Sequence, residues 1–127
     1  MVLSVNERTF TQEVLKSPIP VLVHFWAPWC GLCRMIGPQL IQFQAKWGEQ
    51  VKIVSINADD NFKLAHTYRL KSLPTLILFE DGDIQHRLEY FRGRDDLSMA
   101  LESISIGYGE RRQLQRLQTM EYQTYSA

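Results

Sequence analysis

Two cysteines, three positions apart, carry the clearest chemistry in this sequence. Cys30 and Cys33 are its only cysteines, and Gly31 and Leu32 stand between them. A lone C-x-x-C pair is typical of either a redox pair or half of a metal site. A structural zinc site needs two further ligands, and no two of the three histidines have the H-x₃₋₅-H spacing. We therefore expect a redox pair with no metal and no cofactor, the alternative being two inert core cysteines.

The residues around the pair predict that Cys30 lies at the start of a helix. Apolar side chains recur every three or four residues from Leu32 to Trp47, which indicates one buried helix face. Residues 21–27 before it are almost wholly apolar, as in a strand covered on both faces. The N-terminus of a helix favours a thiolate, so the pKa of Cys30 should fall below ~8.5. We therefore expect an accessible Cys30 to attack a target disulfide and a shielded Cys33 to resolve the mixed disulfide.

The remaining patterns predict an α/β fold in which helices flank both faces of a mixed central sheet. Further strands are expected at residues 51–56, 75–79 and 84–91, the last two forming a hairpin. Helices are expected from Asn6 to about residue 16, from a cap among residues 59–61 to about residue 68, and after a cap at Asp95 or Asp96. The order of these elements, βαβ followed by ββα, fits a sheet between two layers of helices.

Length and composition indicate one globular domain. The chain has 127 residues, of which 45 % are hydrophobic and 22 % charged, as in ordinary soluble domains. Fourteen basic residues balance fourteen acidic ones, so charge does not favour nucleic acid. No apolar run is long enough to cross a membrane and no secretory signal is evident, so we expect a cytoplasmic monomer. Residues 1–106 are assigned to the domain, and 107–127, after a hinge at 107–109, to an extension that is partly helical or flexible.

Several separated stretches resemble the thioredoxin family. Residues 25–38, around the cysteine pair, are similar to its active-site stretch, and Leu73-Pro74 to its cis-proline loop. Asp81-Gly82 and Gly93 stand where that family has its hairpin and groove glycines. The resemblance covers about residues 1 to 105. It implies a thioredoxin-like fold and a role in electron transport, in which an unidentified reductase supplies electrons and protein disulfides are the substrates.

The resemblance also implies a substrate-binding groove beside the cysteine pair. Its expected residues are Trp29, Gly31, Leu32, Leu73, Pro74, Arg92, Gly93 and Arg94. The Leu73–Pro74 peptide bond should be cis and face the cysteines, and backbone there should pair with an extended segment of the partner. The guanidinium groups of Arg92 and Arg94 would favour partners with carboxylates near the disulfide. The alternative is that the two arginines are solvated and held by Asp95 and Asp96.

Three residues depart from the family's usual pattern. Leu32 replaces the proline between the cysteines, His24 a buried aspartate, and Ser55 a lysine. Burial among apolar neighbours should lower the pKa of His24 below ~6.5, and a neutral imidazole could accept the proton of Cys33. The alternative is a core histidine hydrogen-bonded to Ser55. These departures leave a second function open, a binding, chaperone-like or redox-sensing module with weak or no general disulfide reductase activity.

Overall fold

A five-stranded mixed sheet forms the centre of the computed structural model, which describes residues 2–125. Its strands are β1 (Leu3–Ser4), β2 (Val21–Trp26), β3 (Lys52–Asn57), β4 (Thr75–Glu80) and β5 (Asp83–Leu88). In space their order is β1-β3-β2-β4-β5. Strands β1 and β2 run parallel to β3, whereas β4 is antiparallel to both β2 and β5. The mixed sheet that the sequence predicts is therefore confirmed.

Helices cover both faces of the sheet. On one face α1 (Gly31–Trp47) and α3 (Arg94–Tyr125) share a core with Leu22 of β2. On the other face α2 (Phe62–Thr67) and a short π-helix, Thr11–Leu15, pack against the odd-numbered residues of β2. Successive strand side chains point to opposite faces, so β2 is buried on both, as its apolar sequence predicts. No helix within residues 2–125 combines the length and apolar character needed to cross a membrane.

Two elements are shorter than the sequence predicts. The side chain of Asn6 accepts the backbone N–H groups of Arg8 and Thr9 at 2.8 and 3.1 Å, and this turn delays the first helix to residues 11–15. Strand β5 ends at Leu88 instead of continuing to residue 91. The φ angle of Tyr90 is +61°, a left-handed conformation that a strand does not accommodate.

The hinge expected at residues 107–109 is not present, because α3 continues through them. Tyr108 is 5 % exposed, and its ring lies 6.3 Å from the ring of Trp47 between centroids. This aromatic contact stabilises the helix where two glycines lower its intrinsic propensity. The helix is therefore not interrupted at the predicted boundary after residue 106. Residues 126–127 lie outside the described part. A separate role for residues 107–127 stays a prediction.

Candidate active site

The cysteine pair lies where β2 leads into α1. Cys30 and Cys33 form a disulfide, with their Cα atoms 5.3 Å apart. Cys30 is the N-cap of α1, and its Sγ atom accepts the backbone N–H of Cys33 at 3.2 Å. This sulfur therefore takes up one of the unpaired N–H groups at the positive end of the helix dipole. The position of Cys30 at a helix N-terminus is confirmed.

The expected difference in accessibility between the two cysteines is wrong for this oxidised structure. Cys30 and Cys33 are each 5 % exposed. The reason is that the disulfide and the N–H contact hold the Cys30 sulfur over the first turn of α1. A more accessible Cys30 stays a prediction for the reduced protein.

The exposed Trp29 contacts Asp59, whose place in the sequence indicates only a helix cap. Trp29 is 69 % exposed, and its Nε1–H donates to the Oδ2 atom of Asp59 at 3.1 Å. Strands β2 and β3 are parallel neighbours, so the residues that follow their carboxyl ends meet at one edge of the sheet. That rule would have placed Asp59 beside Trp29 from the sequence alone.

The proline loop has the conformation that the resemblance implies. The Leu73–Pro74 bond is cis, and Pro74 is buried. Thr75, the first residue of β4, pairs with Phe25 near the end of β2, so the loop enters the sheet at the end that carries the cysteines. The hydroxyl of Thr75 donates to the carbonyl oxygen of Ser72 at 2.7 Å and closes the loop.

The segment that contains Arg92, Gly93 and Arg94 follows β5 beside this loop. The backbone N–H of Tyr90 donates to the Ser72 hydroxyl at 3.4 Å, which connects the two segments. Both arginines are exposed. Asp96 accepts only the backbone N–H of Arg92, at 2.8 Å, and within the described residues no ion pair joins either guanidinium to an aspartate. The structure therefore gives no support to a pair held by Asp95 and Asp96.

His24 and Cys33 line the same cavity, which has a volume of about 400 Å³. His24 is 7 % exposed, and burial lowers its pKa to about 4, as the sequence predicts. Its Nε2 atom is buried with no hydrogen-bond partner among the described residues. Ser55 is the neighbour of His24 in the β2–β3 register and also lines the cavity, but no hydrogen bond joins the two side chains in the described part of the chain. The alternative in which His24 is hydrogen-bonded to Ser55 is therefore not supported.

A helix-capping C-x-x-C disulfide and a cis-proline loop at the same end of a mixed sheet between helices define the class of thiol–disulfide exchange proteins. The family model named Thioredoxin matches residues 1–103. Over 79 residues the chain is 51 % identical to Thioredoxin 1 of Synechococcus elongatus, covering 62 % of this chain and 74 % of that protein. Over 83 residues it is 42 % identical to the thioredoxin of Haemophilus influenzae, covering 65 % and 78 %. The chain belongs to the thioredoxin family. It is a protein-disulfide oxidoreductase with a redox-active Cys30–Cys33 pair.

Proposed function

We propose that this oxidoreductase reduces protein disulfides in two steps, with Cys30 as nucleophile, Cys33 as resolving thiol and His24 as proton acceptor. In the dithiol form, the Cys30 thiolate attacks one sulfur of the target disulfide and releases the other as a thiolate. Cys33 then attacks the Cys30 sulfur, the Cys30–Cys33 disulfide forms, and the second target thiolate leaves. Two electrons pass to the target, and a reductase must then supply two electrons to the Cys30–Cys33 disulfide.

The capping position of Cys30 supports its role as nucleophile. Its sulfur already accepts the N–H of Cys33 and lies at the N-terminus of a 17-residue helix. Both features stabilise a negative charge on the sulfur when the disulfide opens, and the thiolate is the form that attacks.

The observation that carries the role of His24 is the cavity it shares with Cys33. With a pKa lowered to about 4, the imidazole is neutral at physiological pH and has a free nitrogen for a proton. That value belongs to the oxidised protein, in which the Cys33 sulfur carries no charge. A Cys33 thiolate at the same cavity would stabilise the imidazolium and raise its pKa, so proton transfer would produce a mutually stabilised ion pair.

Rapid mixing of the reduced protein with one model peptide disulfide tests this role. In His24→Leu, formation of the mixed disulfide should be unchanged, whereas its resolution should slow by about 100-fold, a typical contribution of a positioned base. His24→Asp, which restores a titratable acceptor, should keep most of the resolution rate. His66→Leu, at an exposed histidine, is the matched control. If His24→Leu resolves as fast as the parent from pH 6 to 8, the histidine is a packing residue, and the cysteine roles are unaffected.

We also propose that the partner binds across Trp29, the cis-proline loop and the arginine segment. Arg92 and Arg94 support this because their charges are exposed and unpaired within the described residues. Reversing both charges to glutamate should slow association with an acidic target most strongly at low salt, since screening weakens exposed charges. Arg116→Glu, at an exposed position on α3, is the control. Equal rates for both variants would contradict the proposal.

Three further features stay predictions: a role in electron transport, a cytoplasmic location and a monomeric state. Trapping with Cys33→Ser, which stops the reaction at the mixed disulfide, would identify the targets. Sedimentation of the oxidised protein would measure its oligomeric state.

A further inference from the structure

The cavity that Cys33 and His24 line is large enough to hold a small molecule. Its volume of about 400 Å³ lies within the range of small-molecule sites, roughly 300–1,000 Å³. Its wall is mostly apolar and is formed by Val2, Trp26, Ala27, Gly37, Leu40 and Ile41. Water gains few hydrogen bonds in such a space, so an apolar occupant would be favoured over solvent.

The charges around the cavity are unevenly placed. Among the described residues that line it, Arg34 is the one with a permanent charge. Its side chain is exposed and donates to the carbonyl oxygen of Pro28, and no carboxylate pairs with it within the described part of the chain. The other ionisable wall residues are His24, which is neutral at physiological pH, and Cys33, which is bonded to Cys30. Arg34, whose side chain is exposed to solvent, is therefore the one cationic residue among the described residues of an otherwise uncharged wall.

We propose that this cavity binds a small amphipathic anion, with its apolar body between β2 and α1 and its carboxylate or sulfonate against Arg34. A guanidinium group can donate two parallel hydrogen bonds to the oxygens of a carboxylate or a sulfonate. The binding does not require the catalytic roles assigned to Cys30, Cys33 or His24.

A glycine in the wall provides a direct test. A Cβ atom at Gly37 would meet no atom within 4 Å, so a larger side chain fits there without a backbone clash. Gly107 on α3 has the same free space and does not line the cavity. Gly37→Leu should therefore fill the cavity, and Gly107→Leu is a matched control for a glycine-to-leucine change in a helix.

The probe is 1-anilinonaphthalene-8-sulfonate, which combines an aromatic body with one sulfonate, titrated into the oxidised full chain at pH 7. The parent and Gly107→Leu should show saturable binding of one probe, and Gly37→Leu should weaken it by about tenfold or more, a loss of ~1.4 kcal/mol. Arg34→Leu should weaken probe binding and reduce its salt dependence, whereas Arg34→Lys, which keeps the charge but loses the paired hydrogen bonds, should weaken binding less than Arg34→Leu and keep its salt dependence. Urea unfolding of each variant shows that the fold is intact, since this dye also binds partly unfolded chains.

Displacement of the dye tests the class of ligand. Decanoate should displace it, and decanol, which has a similar chain without the charge, should do so at least about tenfold less well. The proposal fails if the parent shows no saturable binding or if Gly37→Leu binds as Gly107→Leu does. It also fails if decanol competes as well as decanoate. None of these outcomes depends on reductase activity, so failure here is distinguishable from failure of the proposed function.

Discussion

Replacing His24 by leucine should remove a large part of the acid sensitivity of the fold. The pKa of this histidine is lowered from 6.5 to about 4 in the folded protein because burial penalises its charged form. The unfolded chain, with the higher pKa, therefore binds a proton more readily, and acid favours unfolding. The contribution of the neutral His24 to the free energy of unfolding is complete above pH 6.5 and is lost as the pH falls towards 4. With ~1.4 kcal/mol for each pKa unit, the shift corresponds to about 3 kcal/mol.

Urea unfolding of the oxidised protein at several pH values between 4 and 7 measures this contribution. Leucine is not ionisable, so the difference in unfolding free energy between the parent and His24→Leu should change by about 3 kcal/mol across that range, to the disadvantage of the parent in acid. Any constant offset from altered packing leaves this change untouched. His66→Leu removes an exposed histidine instead and should follow the parent.

A constant difference between His24→Leu and the parent from pH 4 to 7 would refute the reasoning. It would mean that the imidazole titrates equally in the folded and unfolded states, so that its site is not dry. The dry surroundings of His24, on which its role as proton acceptor depends, would then lose their support.

Three other outcomes are expected. In the reduced protein at neutral pH, alkylation followed by mass spectrometry should find Cys30 modified first and Cys33 second, and the opposite order would reverse their roles. Tyr108→Ala should lower the unfolding free energy by about 3 kcal/mol because it empties a packed site. Ile106→Ala, at a neighbour that is 64 % exposed, should change it by less than about 0.5 kcal/mol. Equal losses would contradict the packing of α3. Gly82→Ala should cost about 1–2 kcal/mol because its φ is +82°, and an unchanged urea midpoint would contradict that strain.

The elements nearest the cysteines could be predicted because their signals are local. The apolar run before Trp29 identified β2, and the three-to-four-residue spacing after Cys33 identified the buried face of α1. The two glycines at residues 107–109 predict a hinge, but the helix continues through them. A long-range contact decided that region, since Trp47 on another helix buries Tyr108.

The chemistry of this protein can be predicted from residue types and local spacing: which two sulfurs react, that Cys30 caps a helix, and that His24 lies in an apolar strand. These properties follow from residue type and short-range spacing, which the chain carries before it folds. That His24 and Cys33 share one cavity, and that Arg34 belongs to its wall, became evident only from the folded chain. Such contacts depend on how β2, β3 and α1 pack together, and the packing of distant segments leaves no periodic trace in a single sequence.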